Sequence, residues 1–197
     1  MPYTSRLTKA FELAVELHQN QKRKGSGIPY ITHLLAVASL VGEHGGDEDQ
    51  LIAALLHDAV EDQGGRTVLE RIQEQFGPRV ANLVAACSDS DATPKPPWRE
   101  RKENHIRRMP QLEPEARLII AADKLHNARS MVHDRRRIGD SLWNRFSGGR
   151  DGTMWYLDAS LRALSTDWSH PILEELADVL MGLRDDLYLD HSERSWS

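Results

Sequence analysis

An all-α fold is predicted by three features of this 197-residue sequence. Apolar residues recur at i, i+3 and i+4 spacing along most of the chain. No segment alternates β-branched and polar residues between turn signals, as a half-buried strand would. Gly45-Gly46, Gly64-Gly65, Gly77-Pro78 and Gly148-Gly149 act as stop signals between the periodic segments. The first helix is expected over 5–19, with Leu7, Phe11, Ala14, Val15 and His18 on one face. The second, 31–44, begins after Pro29 and ends at a glycine pair. Residues 47–60 read as one helix with acids in its first turn, where the helix dipole favours them. Helices over 67–76 and 79–88 flank Gly77-Pro78, and residues 89–97, DSDATPKPP, form a loop. A basic helix follows from Trp98 to Met109, then a long helix over 114–134 with a strong apolar face. A short helix at SLWNRF and helices over 152–164 and 171–187 complete the chain, and the final HSERSWS reads as a frayed tail. The expectation is one domain over 1–197, with its core in about 5–165.

Composition excludes several classes of function. Hydrophobic residues make up 40% and charged residues 28%, ordinary for a soluble globule. A net charge of −5 gives no overall attraction to nucleic acid or to acidic membranes, so neither is expected as a partner. Any anionic ligand must then be met by local positive charge. The N-terminus lacks a signal-peptide layout and no apolar run spans a bilayer, which predicts a cytoplasmic protein. Cys87 is the single cysteine, so no intrachain disulfide is possible; its apolar surroundings suit a buried small hydrophobe.

The stretch AALLHDAVED (53–62) sets an apolar run against His57, Asp58, Glu61 and Asp62. On a continuous helix His57 lies over Glu61 and Asp58 over Asp62. A buried carboxylate without a partner costs several kcal/mol, so such a cluster calls for a cation unless it faces water. From this stretch alone, both readings stand. Two distant residues add to it. His33 opens an otherwise apolar helix, and Asp123 sits inside RLIIAADKLHNA. Two imidazoles and two carboxylates from three helices suit an open octahedral divalent ion better than a closed structural zinc. Manganese or iron fits such a set, and other divalent transition metals are not excluded by affinity order.

The segments KRKGSGIPYITHLLAVA, ALLHDAVED, PPWRERKENHI and ADKLHNARS resemble successive motifs of the HD phosphohydrolase superfamily, and within it the hydrolase domain of RelA/SpoT homologues. The likeness runs over 5–165 and is greatest to the small alarmone hydrolases. It implies a helical, manganese-dependent enzyme that removes the 3′-pyrophosphate from guanosine tetra- and pentaphosphate with a metal-activated water. It also implies roles for matching residues. His33, His57, Asp58 and Asp123 become metal ligands, and Glu61 and Asp62 the pair that orients and deprotonates water. Arg23, Lys24 and Ser26 of the glycine-containing turn, Asn127 and Ser130 become substrate contacts. Tyr156, in TMWYLDASL, has two open readings, closing the base pocket or packing between helices. The basic helix at Trp98 is expected to be mostly solvated, with Arg99, Arg101 or Lys102 touching the site at most. His126, His105 and His18 are expected to be ordinary core or surface histidines. Two other functions remain open: an HD-type phosphatase acting on NADPH or a nucleoside phosphate, and a non-catalytic nucleotide- or metal-binding module. Oligomeric state is not legible.

Overall fold

The computed structural model describes residues 4–90 and 94–193. Part of the predicted 89–97 loop (91–93) and the last residues of the predicted tail (194–197) lie outside the described residues. Ten α-helices account for most of the rest: α1 Ser5–His18, α2 Ile31–Glu43, α3 Glu48–Leu56, α4 Ala59–Gln63, α5 Gly65–Phe76, α6 Pro78–Cys87, α7 Trp98–Arg108, α8 Pro114–Ile138, α9 Gly149–Leu164 and α10 Pro171–Glu193. Short 3-10 turns occupy Met109–Gln111 and Gly139–Arg145, the second where a short α-helix was predicted. Among the described residues the only extended pairing is one isolated bridge between Lys22 and Pro29. The all-α prediction therefore holds.

Helix α8 is the axis of the molecule. Ten successive residues, Ala116 to Leu125, are buried, so this helix is enclosed on all sides rather than amphipathic. Helices α2, α6, α9 and α10 pack against it. Asp123 and Lys124 therefore sit in the interior, which later decides their chemistry. Ile119, at the middle of the buried run, is 0% exposed. Ile119→Ala is expected to cost about 2–5 kcal/mol, through lost burial and a residual cavity. A urea titration checks this, with the midpoint falling and the slope unchanged.

Local sequence explains the helix ends. Asp47 and Gln50 form a reciprocal capping box at the start of α3. Thr4 caps α1, and Pro78 and Pro114 occupy first-turn positions where a missing N–H costs nothing. Two expectations are corrected. The buried face of α1 is Ala10, Leu13, Ala14 and His18, while Phe11 and Val15 are about two-fifths exposed, at 39% and 41%. Small alanines form the face turned inward, and α3 and α4 are the helices that pack there. The predicted helix over 47–60 is broken within the His57-Asp58 pair. Asp58 adopts φ −95°, ψ −4°, in the sparsely populated bridge region, and α4 starts afresh after it.

Candidate metal centre

The four residues predicted as ligands meet at one point. His33 comes from α2, His57 and Asp58 from the α3–α4 break, and Asp123 from the buried middle of α8. His57 Nε2 lies 3.0 Å from Asp58 Oδ2 and 3.7 Å from Asp123 Oδ1. His33 Nε2 lies 3.5 Å and 3.3 Å from the same two oxygens. Ligand bonds of roughly 2.0–2.2 Å at right angles would put neighbouring donor atoms about 3 Å apart. The spacing therefore suits adjacent corners of one coordination sphere. His33, His57 and Asp58 each offer a donor atom within 4.8 Å of the other two.

The imidazoles are oriented from behind. His57 Nδ1 is 2.8 Å from the Ala54 carbonyl and can only donate to it, which turns Nε2 inward. His33 Nδ1 is 2.7 Å from Nδ1 of His126. Burial, and then His33 itself, lower the pKa of His126 to about 4, so it is neutral. Both inward Nε2 atoms are buried and make no hydrogen bond among the described residues. Tyr30 donates its hydroxyl to Asp58 Oδ2 at 2.6 Å.

The electrostatics ask for a cation here. Burial would raise both acids, yet the histidines hold Asp58, and Lys124 with the histidines holds Asp123, well below the usual carboxylate range. Burial would lower His57, but Asp58 and Asp123 raise it well above an ordinary histidine. Asp58 and the buried Asp123 thus draw positive charge, a proton on His57 or a metal cation in its place, to the point where the two Nε2 atoms converge. A divalent ion fits that donor set and uses both nitrogens.

Glu61 and Asp62, on α4, border the same cavity. Burial pushes the Glu61 carboxyl up, although Lys102 and Lys95 lie near it. Its Oε1 accepts from Arg101 at 3.2 Å. Asp62 is more open and accepts from Gln21 at 2.8 Å.

The cavity measures about 660 Å³, and Arg23, Lys24, Ser26, Asn127, Ser130 and Tyr156 all line it. Arg23 donates to Asn127 Oδ1 at 2.8 Å, and Asn127 donates to Asp123 Oδ1 at 2.6 Å. Asn127 thus ties the basic turn to a candidate ligand. The turn closes because Gly25 and Gly27 adopt φ of +70° and +73°, and Arg23 N–H donates to the Ile28 carbonyl at 2.8 Å. Ser26 Oγ lies 3.4 Å from the Arg23 carbonyl, and Ser130 donates to the His126 carbonyl at 2.9 Å. Tyr156 is buried, its hydroxyl 3.2 Å from His105 Nδ1. Lys102 and Lys124 lie 4.8 and 5.1 Å from its ring centroid, so it belongs to a cationic wall. Cys87 also borders the cavity and is only half-buried, but burial pushes its thiol up, which keeps it protonated.

Five residues at this site were given no role, or a lesser one, by the sequence. Lys124 is buried and paired with Asp123 at 2.6 Å. Arg101 and Lys102 were expected only to touch the site from a solvated helix, yet both are largely shielded and engage Asp89. His126, expected to be an ordinary histidine, backs His33. Its position three residues after Asp123 was the available signal, since i, i+3 residues share a face. Tyr30 stood in the quoted motif with no sign of its partner.

Comparison with known proteins agrees with this geometry. The HD domain family model matches residues 10–154, and the chain belongs to that family. Human MESH1, named as a guanosine-3′,5′-bis(diphosphate) 3′-pyrophosphohydrolase, is 37% identical over 130 residues, covering 64% of this chain and 70% of that protein. A probable GTP pyrophosphokinase of Mycobacterium leprae (strain TN) is 43% identical over 126 residues, covering 62% of this chain. The match spans only 15% of that much longer protein. Among solved structures, a metazoan ortholog of SpoT aligns with a TM-score of 0.75 at 24% identity, over 92% of this chain and 97% of that one. The lmo0812 protein of Listeria monocytogenes EGD-e aligns with a TM-score of 0.68 at 30% identity, over 77% and 97%. Among the described residues no helix is long and apolar enough to cross a membrane.

Proposed function

We propose that this protein is a metal-dependent phosphohydrolase that removes the 3′-pyrophosphate from guanosine tetra- and pentaphosphate. The observation that carries the reading is the convergence of His33, His57, Asp58 and Asp123 on a cavity that Glu61 also lines. The activity for which human MESH1 is named, a relative matched over most of its length, supports the choice of substrate. In this reading the four residues hold one divalent ion, and a set of two carboxylates and two imidazoles suits manganese. Such an ion, when bound, supplies Lewis acidity at a phosphoryl oxygen and lowers the pKa of water. The remaining work falls to the chain. Glu61, with its proton affinity raised by burial, accepts a proton from the attacking water, and Asp62 orients that water. Arg23 and Lys24 meet base and phosphate, and Asn127 keeps Arg23 in register with Asp123. Ser26, Ser130 and Tyr156 complete the walls around the nucleotide. The chain acts as one unit over 1–197, in the cytoplasm; a single apolar cluster from Ala10 to Leu183 supports that unity.

The test is an assay of purified protein with manganese and a panel of phosphorylated nucleotides. Release of intact pyrophosphate from the guanosine 3′ position is the expected result. Release of orthophosphate alone, from NADPH or a nucleoside phosphate, would replace this substrate assignment with the phosphatase reading. Saturable binding with no turnover would make the protein a binding module.

A pH prediction follows from Glu61. A general base works only when ionised, so kcat falls as pH drops through its pKa. Because burial raises that pKa, the acid limb should lie above the ordinary glutamate value of about 4.3. Glu61→Gln should lower kcat by roughly 10²–10⁴-fold and abolish this limb at saturating metal. A limb identical in wild type and Glu61→Gln would assign the base elsewhere.

A further inference from the structure

One buried acid has no part in the reading above. Asp89 follows α6, and its side chain is 1% exposed. It lies between two cations of α7. Oδ1 accepts from Arg101, and Oδ2 accepts from Lys102 Nζ at 2.5 Å. The same guanidinium nitrogen of Arg101 that serves Asp89 lies 3.2 Å from Glu61 Oε1. Lys102 lines the cavity, 4.8 Å from the centroid of the Tyr156 ring. A carboxylate withdrawn from water is tolerated only when paired and hydrogen-bonded. Asp89 therefore holds both cations in place, and it shares one of them with the proposed base.

We propose that Asp89 is a positioning residue for the hydrolytic reaction, holding Arg101 back from full pairing with Glu61 and fixing Lys102 on the cavity wall. This rests on Glu61 being the base. Every charged group near Glu61 enters the balance. Arg101 and Lys102 face it from α7, Lys95 from the loop before α7, Asp89 from the loop after α6, and Asp58 from the α3–α4 break; Asp62 is its neighbour on α4. Asp89 and Asp58 raise its proton affinity, whereas Lys102 and Lys95 lower it. In Asp89→Asn one negative neighbour disappears and Arg101 is released to Glu61. Both changes make Glu61 ionise at lower pH and weaken it as a base. Arg101→Gln removes a cation and moves Glu61 the other way.

The decisive experiment is a carbon-13 NMR titration of the Glu61 carboxyl in the full chain with magnesium as a diamagnetic ion. The signal is assigned by its loss in Glu61→Gln. The midpoint should fall by roughly one pH unit, a tenfold change in proton affinity, in Asp89→Asn, and should rise in Arg101→Gln. The acid limb of kcat should move in the same directions. A merely structural Asp89 would lower thermal stability and leave the Glu61 midpoint where it is in wild type, and that result overturns the proposal. If Asp89→Asn does not fold, Arg101→Gln decides by the sign of its shift. The NMR readout needs no turnover. Wild-type protein inert towards guanosine tetraphosphate would therefore count against the proposed function alone, and the Glu61 midpoints would still decide the role of Asp89.

Discussion

Asp58→Ala is expected to abolish hydrolysis while leaving the helical circular-dichroism spectrum of the wild type. The carboxylate of Asp58 is shared by three neighbours. It faces His57 Nε2 at 3.0 Å and His33 Nε2 at 3.5 Å, and it accepts from the Tyr30 hydroxyl at 2.6 Å. Removing it takes one negative donor from the proposed ion site and unfastens Tyr30. Stabilisation by a catalytic metal amounts to several kcal/mol. At about 1.36 kcal/mol per decade, losing that contribution lowers the rate roughly a thousandfold or more. The fold should survive, because Asp58 lies in the α3–α4 break and is not a core packing residue. Wild-type turnover in Asp58→Ala would remove this residue from the mechanism.

Lys124→Met is the second large effect, and it acts on stability first. Lys124 is buried in the enclosed part of α8, and its ammonium lies 2.6 Å from Asp123 Oδ2. Asp123 holds Lys124 well above the usual lysine range despite burial, so the pair is ionic. Methionine keeps the volume and removes the charge, which leaves the Asp123 carboxylate short of its strongest partner. Breaking a buried pair in this way costs about 3–5 kcal/mol. In a chain of this size that corresponds to roughly 10 °C in Tm. A divalent ion held by Asp123 would return part of the lost stability, so manganese should raise the Tm of Lys124→Met more than that of wild type. Lys124→Arg, which keeps the charge, should fall between the two. An unchanged Tm in Lys124→Met would show that Asp123 is satisfied without Lys124.

The helices and the polar residues that the fold gathers around one cavity were legible in the sequence because each leaves a local signal. Helical periodicity survives without any tertiary partner, and His33, the His57-Asp58 pair and Asp123 stand out as polar residues in apolar runs. Where signals were tertiary, the reading failed or was silent. The break at Asp58 arises in a segment whose residues read as one helix from Asp47 to Val60, so no local feature marked it. The inward face of α1 was misplaced because Phe11 and Ala10 compete for the same stripe, and packing favours the alanine. Lys102 looked like a solvated charge in WRERKENHIRR, and only its pairing with the distant Asp89 turns it inward. His126 gains meaning only from His33, on another helix.

Four side chains from α2, the α3–α4 break and α8 are proposed to hold one divalent ion. Calorimetric titration of chelator-treated protein with manganese tests it most directly. Wild type should bind one ion per chain, and His57→Ala and Asp123→Ala should lose that binding while remaining helical. Stoichiometry and affinity unchanged in both variants, or a wild type that takes up no ion, would contradict it.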